Sequence, residues 1–111
     1  MSHQLNDTIC AIATPIGEGG IGIVRVSGEK AIDAASGLVA LRSGAPLPSA
    51  ASHVLHHADL LDPTDSRRRA LLDDALVVVM RGPRSYTGED VVELQCHGGV
   101  VILQTICEAL I

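Results

Sequence analysis

Arg25 is a charged residue inside an otherwise apolar segment, and a guanidinium in such a place could bind an anion. The segment 21–27 (IGIVRVS) is rich in β-branched residues and is predicted to be a strand. Side chains alternate between the two faces of a strand, so Arg25 shares its face with Ile21 and Ile23. Two interpretations stay open. The guanidinium either extends to water, or it is buried and needs a carboxylate or an anionic ligand.

Glu93 raises the same question in the segment 91–96 (VVELQC), which is predicted to be another strand. It shares its face with Val91 and Gln95, a half-polar row opposite a wholly apolar one. One interpretation is an ordinary carboxylate on the solvent side of a strand. The other is a carboxylate whose two oxygens accept hydrogen bonds from the paired N–H donors of a guanidine-like or pterin-like ring.

Two glycine-rich segments, 17–22 (GEGGIG) and 97–99 (HGG), could let the backbone approach a ligand or another chain closely. The alternative is that they form ordinary tight turns. The first segment joins two predicted strands and is not followed by a Lys-Ser/Thr pair, which excludes a Walker-type phosphate loop. No Ser-His-Asp arrangement and no His-Glu-x-x-His motif stands out in the sequence. His97 beside two glycines could be catalytic, but a lone histidine is more often structural, so we predict no catalytic residue.

The three cysteines, at positions 10, 96 and 107, lie singly in apolar segments and not in a Cys-x-x-Cys pair. This usage predicts buried free thiols in a reducing cytosol and no disulfide framework. Cys96 is followed by His97, but adjacent side chains on a strand point to opposite faces. We therefore predict no zinc site and no other metal site.

The elements that position these residues are five predicted strands and two predicted helices. The run 75–80 (ALVVVM) is nearly continuous in apolar residues, as expected of a central strand covered on both faces. The first helix follows an N-cap at Ser27 and runs to about Leu41, with an apolar stripe of mostly small residues. The last helix begins at Gly98-Gly99 and carries apolar residues at helical spacing. The predicted strands are 8–14, 21–27, 53–61, 75–80 and 91–96.

Their order, β-β-α-β-β-β-α, predicts an α+β (mixed α/β) fold in a single domain over residues 1–111. We expect a mixed sheet of about five strands with two or more helices packed on it. The triplet Arg67-Arg68-Arg69 is surrounded by four aspartates and is interpreted as part of a solvated hairpin. Phosphate binding by this triplet is the alternative.

Composition restricts the possible partners. The 111 residues carry a net charge of −5 and a single aromatic residue, a tyrosine, so the chain lacks the basic patches and stacking rings of a nucleic-acid reader. No apolar run approaches the roughly 20 residues of a membrane-spanning helix, and the first residues do not resemble a signal peptide. The chain stops at Ile111 within a predicted apolar helix, from which we expect a fragment of a longer cytoplasmic protein.

Two long motifs give this sequence a family resemblance. The segments 7–9 (DTI) and 13–28 (ATPIGEGGIGIVRVSG) closely resemble the N-terminus of the MnmE (TrmE) family of bacterial tRNA-modification GTPases. So does the segment 83–99 (PRSYTGEDVVELQCHGG). The resemblance covers essentially the whole chain, although residues 42–73 follow the family only loosely.

The resemblance implies an N-terminal domain that binds a tetrahydrofolate derivative and forms a homodimer. Its fold would be similar to the folate-binding domains of one-carbon enzymes. In the family, 5-formyltetrahydrofolate contacts the arginine of an Arg-x-Ser-Gly motif, here Arg25, and the second glutamate of Gly-Glu-Asp-x-x-Glu-Leu, here Glu93. A third family contact is a lysine that would lie beyond Ile111.

The resemblance also implies what the longer protein does. Its members modify the C5 position of the wobble uridine of tRNA together with the flavoprotein MnmG. GTP, Mg²⁺ and K⁺ would bind only through a G domain that this chain lacks. We expect this part to bind neither membranes nor nucleic acid directly. The alternative is a purely structural dimerisation module with no appreciable ligand binding as a fragment.

Overall fold

Six strands and two α-helices form the part of the chain that the computed structural model describes, which is residues 8–12, 21–62, 65, 71–85, 87–97 and 99–110. In chain order they are β1 (Ile9–Ile12), β2 (Gly22–Ser27), α1 (Ala31–Ser36), β3 (Val39–Leu41), β4 (Leu55–Leu61), β5 (Leu71–Met80), β6 (Val91–Cys96) and α2 (Val100–Leu110). A short 3-10 helix, Leu47–Ser49, lies between β3 and β4.

The six strands form one sheet in the order β1-β2-β6-β5-β4-β3, and every neighbouring pair is antiparallel. The α+β class is confirmed, but the prediction of a mixed sheet of about five strands is wrong. Parallel neighbours need a crossover that returns the chain beside the strand it left. Here the chain leaves β2, forms α1 and continues into β3 at the far edge of the sheet.

The third strand lies where the sequence predicted a continuous helix. Helix α1 ends at Ser36, and the prediction that it runs to about Leu41 is wrong. Val39 and Leu41 are buried whereas Ala40 between them is exposed, so this segment has the two-residue period of a strand. The predicted N-cap at Ser27 is also wrong, because the N-cap of α1 is Lys30 and has no side-chain hydrogen bond.

Both helices pack on the same face of the sheet and enclose an aliphatic core. Small residues let α1 lie close to the strands, and Ala31 and Ala35 are fully buried. Helix α2 approaches β2 so closely that a Cβ atom on Gly22 would lie 2.4 Å from a methyl carbon of Leu103. The core residues of the three central strands include Val24, Val26, Ala75, Val77, Val79, Val92, Leu94 and Cys96.

The opposite face of the sheet is only half-buried, and we call it the open face. On β5, Ala75, Val77 and Val79 are buried against the helices, while Leu76 and Val78 are half-buried on the open face. The prediction that this strand is covered on both faces is therefore wrong for the described residues. The residues of the open face used below are Ile23, Arg25, Leu76, Val78, Glu93 and Gln95.

Some predictions concern residues outside the described ranges. These are positions 13–14 of the first predicted strand, the glycines at positions 17, 19 and 20, the arginine triplet 67–69 and Gly98. Within the described ranges, neither helix has the length and apolar character needed to cross a membrane.

Candidate functional site

The two residues singled out from the sequence are direct partners across the sheet. Strands β2 and β6 are antiparallel neighbours, and their register places Arg25 opposite Glu93. Side chains of directly opposed residues point to the same face with Cβ atoms about 5 Å apart. The Arg25 Nη2 atom donates a hydrogen bond of 2.9 Å to Glu93 Oε1. The predicted alternation of faces is confirmed, and it brings both charges onto the open face.

The burial of this ion pair is unequal. Glu93 is 6 % exposed, whereas the Arg25 side chain retains 31 % exposure. A carboxylate withdrawn from water loses hydration free energy, and the guanidinium compensates for part of that loss. The interpretation of Glu93 as an ordinary solvent-facing carboxylate is therefore wrong. The structure favours the interpretation of Arg25 in which its guanidinium pairs with a carboxylate.

Gln95 is the third polar member of this site. It lies two residues after Glu93 on the same face, and its Nε2 atom donates a 3.3 Å hydrogen bond to Glu93 Oε2. That bond is slightly longer than the usual range of about 2.7–3.2 Å, so a better donor could replace it. Sequence reasoning placed Gln95 on the correct face but missed its contact with the carboxylate, although the two-residue spacing was a signal for it.

Aliphatic side chains surround the polar group. Val78 on β5 is the cross-strand partner of Glu93, and Leu76 is the partner of Gln95. On the other side, Ile23 of β2 is also paired with Gln95. The site therefore combines a buried acceptor with half-buried apolar neighbours, a combination that suits a flat ring with N–H donors on its edge.

The loop 82–90 is attached to the strand that carries Arg25. The hydroxyls of Ser27 and Thr87 are hydrogen-bonded at 2.7 Å, and the Gly28 amide donates to the Asp90 carbonyl at 2.9 Å. Within the loop, the amide of Gly82 donates to Asp90 Oδ1 at 2.9 Å. These contacts hold Gly82, Thr87 and Asp90 near the end of β2 and the start of β6.

Two open pockets border this loop. One has a volume of about 430 Å³ and the other about 280 Å³. Neither of these two pockets is lined by Arg25 or Glu93. The larger is lined by Ser52, His53, Arg81, Gly82, Pro83 and Arg84, and the smaller by Glu29, Gly82, Gly88, Glu89 and Asp90.

His97 follows β6 and has a structural role in the described fold. Its amide donates to Asp73 Oδ2 at 2.9 Å, and its Nδ1 atom is 2.8 Å from the carbonyl oxygen of Asp74. A carbonyl can only accept, so Nδ1 carries the proton. Among the residues that the structure describes, no three His, Cys, Asp or Glu side chains are grouped as metal ligands.

A second polar group lies on β4 and β5. The Nε2 atom of His57 is 2.5 Å from Asp74 Oδ1, and Arg42 donates to Asp59 Oδ1 at 2.8 Å. The hydrogen bond from His57 lowers the pKa of Asp74 below its usual value of 3.8, and the nearby positive charges act in the same direction. All four side chains are substantially exposed, so this group resembles a surface ion-pair network more than a binding site.

Curated relatives match nearly the whole chain. It is 49% identical over 108 residues to the tRNA modification GTPase MnmE of Carboxydothermus hydrogenoformans, which covers 97% of this chain and 23% of that protein. It is 50% identical over 102 residues to the enzyme of the same name from Symbiobacterium thermophilum, covering 92% of this chain and 21% of the relative. For the Chlamydia felis protein of that name the identity is 53% over 106 residues, which covers 96% of this chain and 22% of that protein.

These matches agree with the resemblance found in the two long motifs. The chain spans less than a quarter of the length of each of these relatives. The family model described as GTP-binding protein TrmE N-terminus matches residues 8–111. The chain therefore belongs to the TrmE N-terminus family.

Proposed function

We propose that this chain is the tetrahydrofolate-binding and dimer-forming N-terminal domain of a tRNA-modification GTPase. The observation that carries the proposal is the buried carboxylate of Glu93, held on the open face by Arg25. A carboxylate costs free energy to bury and is an effective acceptor for a ring with paired N–H donors. The family supports the same assignment, because both residues match its motifs.

In the bound state, Glu93 accepts hydrogen bonds from the N–H donors on the edge of the pterin ring. A charge-assisted bond of this kind contributes about 1.5–3 kcal/mol. Gln95 releases Oε2 as the ligand donor takes its place, and Arg25 meets a carbonyl or carboxylate of the folate. Ile23 and Val78 pack against the ring face. The ring would cover the part of these two side chains that is exposed in the single chain.

Dimerisation covers the open face. An antiparallel sheet that faces water on one side normally carries polar residues there. Here the open face carries Ile9, Ile21 and Leu55 at 45–55 % exposure, together with the half-buried Leu76 and Val78. Apolar surface of this kind favours a protein partner, and a second copy would also enclose a ligand lying over the ion pair.

The role in the longer protein follows from the family. There the domain would serve an enzyme that modifies the C5 position of the wobble uridine of tRNA with MnmG, in the cytoplasm. GTP, Mg²⁺ and K⁺ would act in a G domain outside these residues. This domain would supply the folate and the dimer contacts, and other domains would supply most of the tRNA contact because this one is acidic with a single aromatic residue.

The experiment is calorimetric titration of 5-formyltetrahydrofolate into the chain and into two variants. Glu93→Gln removes the charge but keeps the shape, and we expect the affinity to fall by about 10-fold or more. Asp59→Asn is the matched control, because Asp59 is paired with Arg42 on β4, and we expect it to bind like the parent. Equal affinity of Glu93→Gln and the parent would refute the folate assignment.

One observation favours the second candidate, a purely structural dimerisation module. Both carboxylate oxygens of Glu93 already have protein partners, Arg25 and Gln95, so the group can be satisfied without a ligand. Sedimentation of the same sample, read together with the calorimetric titration, separates the two candidates. A dimer that produces no heat with folate supports the structural module, whereas a dimer that binds folate supports the main proposal.

A further inference from the structure

We propose that Cys10 and Cys107 are a reversible modification site, at which a small-molecule disulfide oxidises the two thiols to an intramolecular disulfide. The Sγ atoms of these two residues are 2.9 Å apart in the described structure, with both cysteines in the free state. They are therefore in direct contact, and a small movement brings them to a bond length of about 2.05 Å. This inference is independent of the proposed folate site.

The fold itself creates this contact between residues far apart in the sequence. Cys10 lies on β1 opposite the fully buried Val26, so its side chain points toward the helices. Cys107 lies one turn beyond Leu103 on α2, and Leu103 packs directly on Gly22. The close approach of α2 to β2, which requires glycine at position 22, therefore also brings Cys107 to the edge strand.

The pair is accessible to a small reagent. Both Cys10 and Cys107 are half-buried, so neither residue is sealed from solvent. Cys96 offers an internal comparison, because it is fully buried and its thiol contacts the carbonyl oxygen of Leu94. Burial raises the pKa of Cys96 to about 12. We therefore expect Cys96 to remain reduced while the other two react.

The reaction with oxidised glutathione proceeds in two exchange steps. Burial raises the pKa of Cys10, and the hydrogen bond with Cys107 acts in the same direction. In the proposed sequence Cys107 attacks first and Cys10 resolves the mixed disulfide. Cys107 loses its proton to solvent and its sulfur attacks one sulfur of the glutathione disulfide, whose S–S bond breaks to release one glutathione. Cys10 then loses its proton to solvent, attacks the Cys107 sulfur and releases the second glutathione. Two protein thiols lose two electrons in total, and one glutathione disulfide becomes two glutathione thiols.

The product would join the first and last described elements of the fold. A bond between β1 and α2 closes a loop that contains the other five strands and restricts the unfolded chain strongly. We expect the Tm of the oxidised protein to exceed that of the reduced protein by about 10 °C. Dithiothreitol should reverse the shift.

The test incubates the chain with oxidised glutathione, denatures it, labels the remaining thiols with iodoacetamide and locates the labels by fragmentation mass spectrometry. We expect the protein to lose the mass of two hydrogens and the label to appear only on Cys96. Cys96→Ala should still form the disulfide. Cys10→Ser should stop at a glutathione adduct on Cys107.

Two outcomes would overturn the proposal. One is a wild-type chain in which all three cysteines are labelled after prolonged incubation. The other is a wild-type chain that ends as a stable glutathione adduct or as a disulfide-linked dimer. Because both outcomes are read on the unmodified sequence, poor folding of a variant does not affect the result.

Discussion

Arg25 and Glu93 are 68 positions apart in the sequence and face each other across neighbouring strands, with 2.9 Å between the bonded nitrogen and oxygen. The arrangement fixes the carboxylate in a nearly buried position while the guanidinium remains partly in water. An ion pair placed in this way serves two purposes. It makes the buried charge of Glu93 tolerable, and it holds both charged groups on the open face.

Removing the arginine should weaken the fold without abolishing it. In Arg25→Ala the Glu93 carboxylate keeps Gln95 but loses its positive partner, and we expect the free energy of unfolding to fall by about 2 kcal/mol, less than for a fully buried pair. Urea denaturation followed by circular dichroism measures this change. Arg25→Ala combined with Glu93→Gln should recover part of the loss. A double variant as unstable as Arg25→Ala would contradict the compensation described above.

The open face should tolerate no added charge if it is the dimer surface. In Leu76→Glu a carboxylate replaces a half-buried aliphatic side chain beside Gln95, and we expect sedimentation equilibrium to report monomer. Ala109→Glu makes the same kind of change at an exposed position of α2 and should leave the dimer intact. If the two variants sediment alike, the dimer uses another surface.

A methyl group at position 22 should separate α2 from the sheet. The added Cβ in Gly22→Ala would lie 2.4 Å from a methyl carbon of Leu103, whose side chain is 1 % exposed and would have to shift within the core. We expect a loss of about 1–3 kcal/mol in the free energy of unfolding. Gly99→Ala is the control, because its Cβ would have no atom within 4 Å. Similar losses in the two variants would show that the effect belongs to glycine in general and not to this contact.

The lowered pKa of Asp74 should make the stability of the fold sensitive to acid. Its pKa is lowered from the usual value of 3.8, chiefly by the hydrogen bond from His57, so the folded state holds the ionised form more firmly than the unfolded chain does. That stabilisation is complete above the unfolded value and is lost as the pH falls through the lower folded value. Between about pH 5 and about pH 2, the parent should therefore lose stability more steeply than Asp74→Asn.

The control for this pH series is Glu108→Gln, a change at an exposed position of α2. Its urea midpoint should follow that of the parent across the same pH range. His57→Ala should reduce the acid sensitivity as Asp74→Asn does, because it removes the principal cause of the shift. Parallel pH curves for the parent and Asp74→Asn would contradict this explanation.

Period-two alternation singled out Arg25 and Glu93 as candidates, because they interrupt strands that are otherwise mostly apolar, and the family resemblance then implied a role for them. Their direct pairing could not be predicted, since it depends on the register between strands far apart in sequence. The contact between Cys10 and Cys107 was missed for the same reason. Each thiol had an ordinary local environment, and only the packing of α2 on β1 brings them together.

The errors in the fold have local causes. Strand β3 has only three residues and follows an alanine-rich helix, so helical propensity concealed it. Strand β5 is apolar enough to be covered on both faces, yet its open face is covered by no helix among the described residues. If a second copy covers the open face, the sequence of β5 reflects its burial in the dimer, and a prediction for the single chain overestimates it.

The alternation along β2 and β6 also separates two sets of residues for anyone who redesigns the domain. Substitutions at Val24, Val26, Val92 and Leu94 would alter how well the domain holds together. Substitutions at Ile23 and Gln95 would change the surface around the ion pair, whereas substitutions at Arg25 or Glu93 would change both that surface and the stability of the fold. A library restricted to the open face and built around a retained pair of Arg25 and Glu93 could therefore search for new ligands without disturbing the core.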